Sequence, residues 1–237
     1  MDYINDENEY RKFVFTILFK VTNGLETVNT LYSQLNNKPQ FSDTIFISLR
    51  ALLADKITMD YLLFKSDFKN ENVHDKLEWL KYDHIKYTLN NLKIFKSIYE
   101  TDDKKIQEKR DDLKSAFPNY FDSGGNLKKQ YDKLPTIGHM AKEIIAGTPN
   151  NSKFQSHLIL SFEHYDIYSK YEHLGQLTPY LVFRGYKDQE QDSISTEIQN
   201  CIKILVDFIA DLITEFHEPE FIERTDYWTN IKKLTSD

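Results

Sequence analysis

The chain has 237 residues and a formal net charge of −7; 14% of it is aromatic, with 16 Phe and 15 Tyr against only 7 Gly and 6 Pro. That length supports a sizeable core, and that balance excludes disorder, collagen-like repeats and turn-rich sandwiches. The acidic total argues against a general phosphate-backbone binder, so nucleic acid is unsupported as a partner, and RNA would need a local basic patch.

The N-terminal MDYINDENEYRK is acidic before any apolar run, the reverse of a secretory signal. No segment reaches the roughly 20 uninterrupted apolar residues of a membrane-spanning helix, so a cytoplasmic protein without membrane contact is expected. Apolar residues recur at intervals of three and four, and two-residue alternation is rare. The predicted fold is therefore all-α, an irregular helical bundle of about six to eight helices. A single domain over residues 1–237 is expected, with a loop or cap insertion at 118–150.

The first helix is predicted over residues 7–36 with Phe13, Ile17, Val21, Leu25, Val28 and Leu31 as its stripe, stopped by Pro39. The second, about Asp43 to Lys65 with Ser42 as its cap, is apolar on most of its circumference and reads as the central helix. A third spans about Val73 to Tyr99, its many charges reading as a solvated face. Thr101-Asp102-Asp103 then caps a short polar helix that ends near Phe117-Pro118. PNYFDSGGN and GTPNN are loop signals bracketing a short helix at about Ile137 to Ala146, with Gly147 as its stop.

Asn151-Ser152 opens the next helix, which Gly175 closes; LTPYLVFRGYKD after it is the one place for a short extended piece. Helix returns from about Ser193 to Phe216 with Ile198, Ile202, Leu205, Val206, Ile209, Leu212 and Ile213 on its apolar face. Cys201 lies on this helix among apolar neighbours, which marks a core thiol in a reducing compartment. Pro219 permits a last helix through Leu234, where Tyr227-Trp228 reads as an anchor.

Two charges stand out on the second helix. Arg50 shares a face with Phe46, Ala54, Ile57 and Tyr61, and Asp55 shares one with Leu52, Met59 and Leu62. They lie about 140° apart around the helix, so each needs a partner from elsewhere. The segment YDIYSKYEHLGQL supplies candidates. Its helix presents Ile159, Phe162, Asp166, Ser169 and His173 along one side, with Tyr168 and Glu172 flanking the polar end. Asp166 or Glu172 would accept from Arg50, and a carboxylate beside His173 would orient the imidazole. A structural polar network that fixes helix register and a ligand or catalytic site are both compatible with this pattern.

The Arg-x4-acidic pair Arg50 and Asp55, followed by the Ser-x3-His of Ser169 and His173 in a Tyr-rich helix, resembles a bacterial all-helical family of unknown function. That family is discussed beside HEPN-type helical domains, and the resemblance spans about residues 40 to 185. It implies a helical bundle with Arg50, Asp55 and His173 as candidate catalytic residues and Asp166, Tyr168, Ser169 and Glu172 as ligand or network residues. The RNA-cleaving HEPN signature is Arg, four to six intervening residues, then His; here no Arg precedes His173 at that spacing, and Arg184 follows it. A ribonuclease of the defence or toxin type would therefore need Arg50 from another helix. A protein–protein interaction module, including self-association, is the third reading.

No metal or cofactor is implied. Glu163-His164 and Glu172-His173 are adjacent pairs whose side chains diverge by about 100°, so neither forms the Glu-x-x-His of a di-iron bundle. His157 and His164, seven apart, read as surface or core histidines, and no Gly-rich phosphate loop or G-x-S-x-G elbow is present.

Overall fold

The computed structural model describes residues 6–67, 70–99, 102–128, 134–150, 152–172 and 188–216. These residues form seven α-helices and one 3-10 turn, and no β-sheet is present among them. The protein is all-α. No helix among the described residues is long and apolar enough to cross a membrane. His173, Arg184, the LTPYLVFRGYKD segment up to its final Asp188, and the expected last helix lie outside the described residues.

The chain packs as two compact units, Met1–Glu71 with Thr136–Asp237, and Asn72–Pro135. The first unit is built around α2 (Phe41–Lys65), which buries residues on nearly every side of its axis, from Ile45 and Phe46 to Leu62. Around it stand α1 (Asp6–Tyr32), α5 (Ile137–Gly147), α6 (Lys153–Glu172) and α7 (Asp188–Phe216). A helix apolar on most of its surface has no stable place except the centre of such a bundle.

α1 and α7 each show one apolar stripe. On α1 it is Val14, Leu18, Val21, Leu25 and Val28, one position out of phase at its start with the Phe13 and Ile17 expected from periodicity. α7 buries Ile198, Ile202, Leu205, Ile209, Leu212 and Ile213 as expected, together with Cys201, a free thiol with no exposed surface. Gly24 lets α1 approach α2, because a Cβ there would stand 2.6 Å from Leu52 Cδ2. Tyr61 and Lys65 of α2 both reach Glu143 of α5, at 3.2 and 2.7 Å.

Ser42 does not cap α2. The helix starts one residue earlier, at Phe41, and Ser42 is buried in its first turn. The backbone N–H groups of Phe41 and Ser42 already donate to Lys38 O and Pro39 O, so the preceding turn replaces a side-chain cap. Asp102, by contrast, caps its helix by accepting from Lys104 N at 3.0 Å, and Ser152 accepts from Gln155 N at 3.1 Å.

The second unit holds α3 (Asn70–Tyr99), whose first two residues precede the division, and α4 (Asp103–Ala116). Its small core is Tyr82, Ile85, Tyr120 and Phe121, flanked by Leu89, Leu113, Phe117 and Leu127. Tyr120 donates to the Glu78 carboxylate, and Tyr82 donates to Lys128 O at 3.1 Å. A tight loop returns the chain. Phe121 and Leu127 form an isolated antiparallel bridge, Asp122 accepts from Asn126 N at 2.9 Å, and Gly125 takes the left-handed φ of 74° that the turn requires.

Candidate functional site

Lys56 and Asp60 sit one turn apart on α2 and are the charged pair at the centre of the first unit. Their positions continue the apolar stripe Leu49, Leu52, Leu53 at helical spacing, so the same face that enters the core carries both charges. Each is only 3% exposed, and Lys56 Nζ lies 2.6 Å from Asp60 Oδ2. Breaking such a pair strands a charge in the interior, whereas the intact pair is close to neutral in net stability. Burial pushes the Asp60 carboxyl above its usual value, with Lys56 opposing and Asp211 adding to the rise.

The pair does not sit in close-packed interior. It lines a cavity of about 390 Å³ between α2, α6 and α7, with Leu63, Phe154, Phe208 and Leu212 as its apolar walls. The Lys56 ammonium stands 5.7 Å from the centroid of the Phe208 ring, an arrangement that favours the cation. Lys153, His157 and Asp211 complete the lining. Behind them Asp207 accepts an ion pair from Lys153 at 3.2 Å and lies 3.9 Å from His157 Nε2. Burial holds the His157 imidazole below its ordinary value, and Asp207 partly offsets this. Neutral His157 therefore offers one donor and one acceptor at the cavity.

Of the residues expected from the sequence, Arg50, Asp55, Asp166, Tyr168 and Ser169 do not line this cavity. Arg50 is half-buried with its guanidinium 5.1 Å from the centroid of Tyr165 on α6. Asp55, also half-buried, pairs with Lys20 of α1 at 2.6 Å. Both thus find partners on other helices, Arg50 on α6 and Asp55 on α1.

Asp166 corrects the expected inward face of α6. It is exposed and accepts from Lys170 at 3.4 Å, while Ile159 on the same side is 37% exposed. Ser169 donates to Asp166 O at 2.6 Å, a local helix bond. The side of α6 that enters the core is Gln155, Leu158, Ser161, Tyr168 and Tyr171, about 100° away, the angle of one residue. Aromatic rings occupy that side because burying them gains free energy, while a carboxylate there would need a cation. The Glu172 side chain and all of His173 lie outside the described residues.

Tyr168 has no exposed surface and stacks on Phe46 with ring centroids 4.7 Å apart. Its hydroxyl meets Cys201 Sγ at 3.3 Å and His164 Nδ1 at 3.4 Å, and His164 lies 3.9 Å from Glu197. Burial raises both the Tyr168 phenol and the Cys201 thiol, so both stay protonated at neutral pH. This is a satisfied polar inclusion in the core.

Comparison with protein-family models, curated proteins and solved structures finds no match.

Among the described residues no three His, Cys, Asp or Glu side chains gather to hold a metal ion. The cavity instead combines aromatic and aliphatic walls with a buried ammonium, a carboxylate and a neutral imidazole. Sequence reasoning passed over Lys56 and Asp60, yet the signal is present: an opposite-charge pair spaced by four inside the apolar stripe, flanked by Leu49, Leu53 and Leu63.

Proposed function

We propose that the protein binds a small organic ligand in the cavity beside Lys56 and Asp60. One observation carries this reading: a fully buried ion pair forms the wall of an open cavity of about 390 Å³ instead of being sealed in packed side chains. Ligand sites of a few hundred Å³ combine mostly apolar walls with a few convergent polar groups, and perturbed ionisable groups collect in them. An ammonium carries three donors; among the described residues Asp60 is the hydrogen-bond partner of Lys56, which leaves donors for a ligand. The ligand class that fits is amphiphilic, with an apolar body against Phe154 and Phe208 and an acid, amide or hydroxyl group reaching Lys56 and His157.

The cavity reading rests on groups that the structure describes, whereas the RNA-cleaving reading turns on His173, which lies outside the described residues. The buried thiol of Cys201 suits the reducing cytoplasm expected for the chain. The test is thermal unfolding of the purified protein against a panel of small amphiphilic acids, amides and alcohols. A rise in melting temperature that disappears in Lys56→Met/Asp60→Leu supports the proposal. A panel without effect on a folded protein, or cleavage of total RNA by it, decides against.

A further inference from the structure

The second unit carries a basic cleft that shares no residue with the Lys56–Asp60 cavity. On α3, Tyr82, Lys86, Leu89, Lys93 and Lys96 follow one another at three- and four-residue steps, a single stripe about 21 Å long at 1.5 Å rise per residue. Ile106, Gln107 and Arg110 of α4 face this stripe, and Gly125 to Leu127 close one end of a cleft of about 700 Å³.

Its charge runs against that of the whole protein. Lys86, Lys93, Lys96 and Arg110 line it with a single carboxylate, Asp103, which is already paired with Lys96. The chain as a whole carries −7. Elsewhere on α4, Lys109 lies 3.6 Å from Asp112 and Lys114 3.4 Å from Asp111. Lys86, Lys93 and Arg110 make no ion pair among the described residues. Like charges gathered around a concavity repel one another, and an anion placed there relieves that repulsion. α4 buries no residue fully, and its partly buried Leu113 flanks the small core of this unit.

We propose that this cleft binds a nucleotide, with its phosphates on Lys93, Lys96 and Arg110. Arg110 offers a planar fork of donors that matches phosphate oxygens, and the lysines act as point charges. Leu89, Ile106 and Leu127 give an apolar floor for a base, and the amides of Asn90 and Asn126 can read its edge. A free nucleotide and the end of a single RNA strand present the same chemistry.

The test is a titration of the full chain at low salt with adenosine triphosphate, with inorganic tripolyphosphate and with a short 5′-phosphorylated single-stranded RNA. Binding of adenosine triphosphate, weaker in high salt and tighter than that of tripolyphosphate, assigns a free nucleotide; binding of the RNA alone assigns a strand end. Lys93→Glu/Arg110→Glu, both at exposed positions, weakens the bound probe by about tenfold or more. Lys109→Glu, outside the cleft, leaves it within about twofold. No binding of either nucleotide probe, tripolyphosphate binding as tightly as adenosine triphosphate, or equal losses in the cleft and control variants overturns the proposal.

Discussion

Lys56 Nζ and Asp60 Oδ2 lie 2.6 Å apart on successive turns of α2, with 4% and 5% of their side-chain surfaces exposed. Each charge is tolerated in the interior because the other is there. Lys56→Met alone leaves a buried carboxylate without its cation and is expected to cost about 3–5 kcal/mol, and Asp60→Leu alone a similar amount. Lys56→Met/Asp60→Leu recovers most of that loss, since two apolar side chains of similar volume replace the pair. Urea denaturation of the four proteins measures the coupling, and additive losses would contradict it.

Asp55 provides the contrast. Its partner Lys20 is 54% exposed, and water screens the pair. Asp55→Asn is expected to change stability by about 1 kcal/mol or less in the same assay. A loss as large as that of Lys56→Met would mean that the charge at Asp55 is the buried one.

Acid should loosen the bundle before the carboxylates titrate. His157 and His164 are both held below the ordinary imidazole value of 6.5, chiefly by burial, with Asp207 and Glu197 opposing. The folded state thus binds these protons less readily than the unfolded chain. The stability this provides is complete above about pH 6.5 and is lost as the pH falls through the folded-state values. Asp60, whose pKa is raised, acts with the opposite sign. His164→Gln leaves the Lys56–Asp60 pair untouched, so the urea midpoint of that variant should fall less between about pH 7.5 and about pH 5.5 than that of the parent. An equal fall would show that His164 is not part of the effect.

Gly24 sits inside α1, where Ala would gain about 1 kcal/mol of helix propensity. Its Cβ, however, would stand 2.6 and 2.9 Å from the two methyl carbons of Leu52, which is only 4% exposed. Overpacking of that kind costs about 1–3 kcal/mol, so Gly24→Ala should be destabilising by about 1 kcal/mol on balance. A stabilised variant would show that Leu52 has room to move.

Cys201 has no exposed surface, and burial pushes its thiol up to about 12, with the Tyr168 hydroxyl opposing. A thiol-specific reagent at mildly alkaline pH should leave the folded protein unlabelled and react stoichiometrically once guanidinium unfolds it. Rapid labelling of the native protein would contradict this burial.

The fold class was legible because apolar spacing on long helices is a strong signal. α2 could be read as central from TIFISLRALLADKITMDYLLF, where apolar residues occupy nearly every side. Its caps and the phases of its neighbours were harder. α6 mixes Tyr, His, Ser and Gln around its whole circumference, so no apolar face stands out, and the reading chose the side of Ile159 and Asp166 instead of that of Leu158 and Tyr168.

The Lys56–Asp60 cavity was passed over for a related reason. Arg50 and Asp55 looked inward because α2 has almost no outward side, and the longer reach of Arg50 to Tyr165 and of Asp55 to Lys20 depends on neighbours that no single-helix pattern contains. Lys56 and Asp60, spaced by four, carry the same pattern as an ordinary surface pair. Their burial is decided by α6 and α7, which contribute Phe154 and His157 from about a hundred residues further along the chain and Phe208 and Asp211 from about a hundred and fifty.

The central claim is that the cavity beside the Lys56–Asp60 pair receives a ligand. The direct measurement is a methyl-resolved NMR titration of the protein with small amphiphilic acids and amides, following Leu63 and Leu212 in its wall, with Leu25 in α1 as the reference. The account predicts saturable shifts at Leu63 and Leu212 with Leu25 unmoved, and their loss in Lys56→Met/Asp60→Leu while the rest of the spectrum persists. Shifts at none of the three, or shifts at Leu63 and Leu212 that survive replacement of the pair, would contradict it.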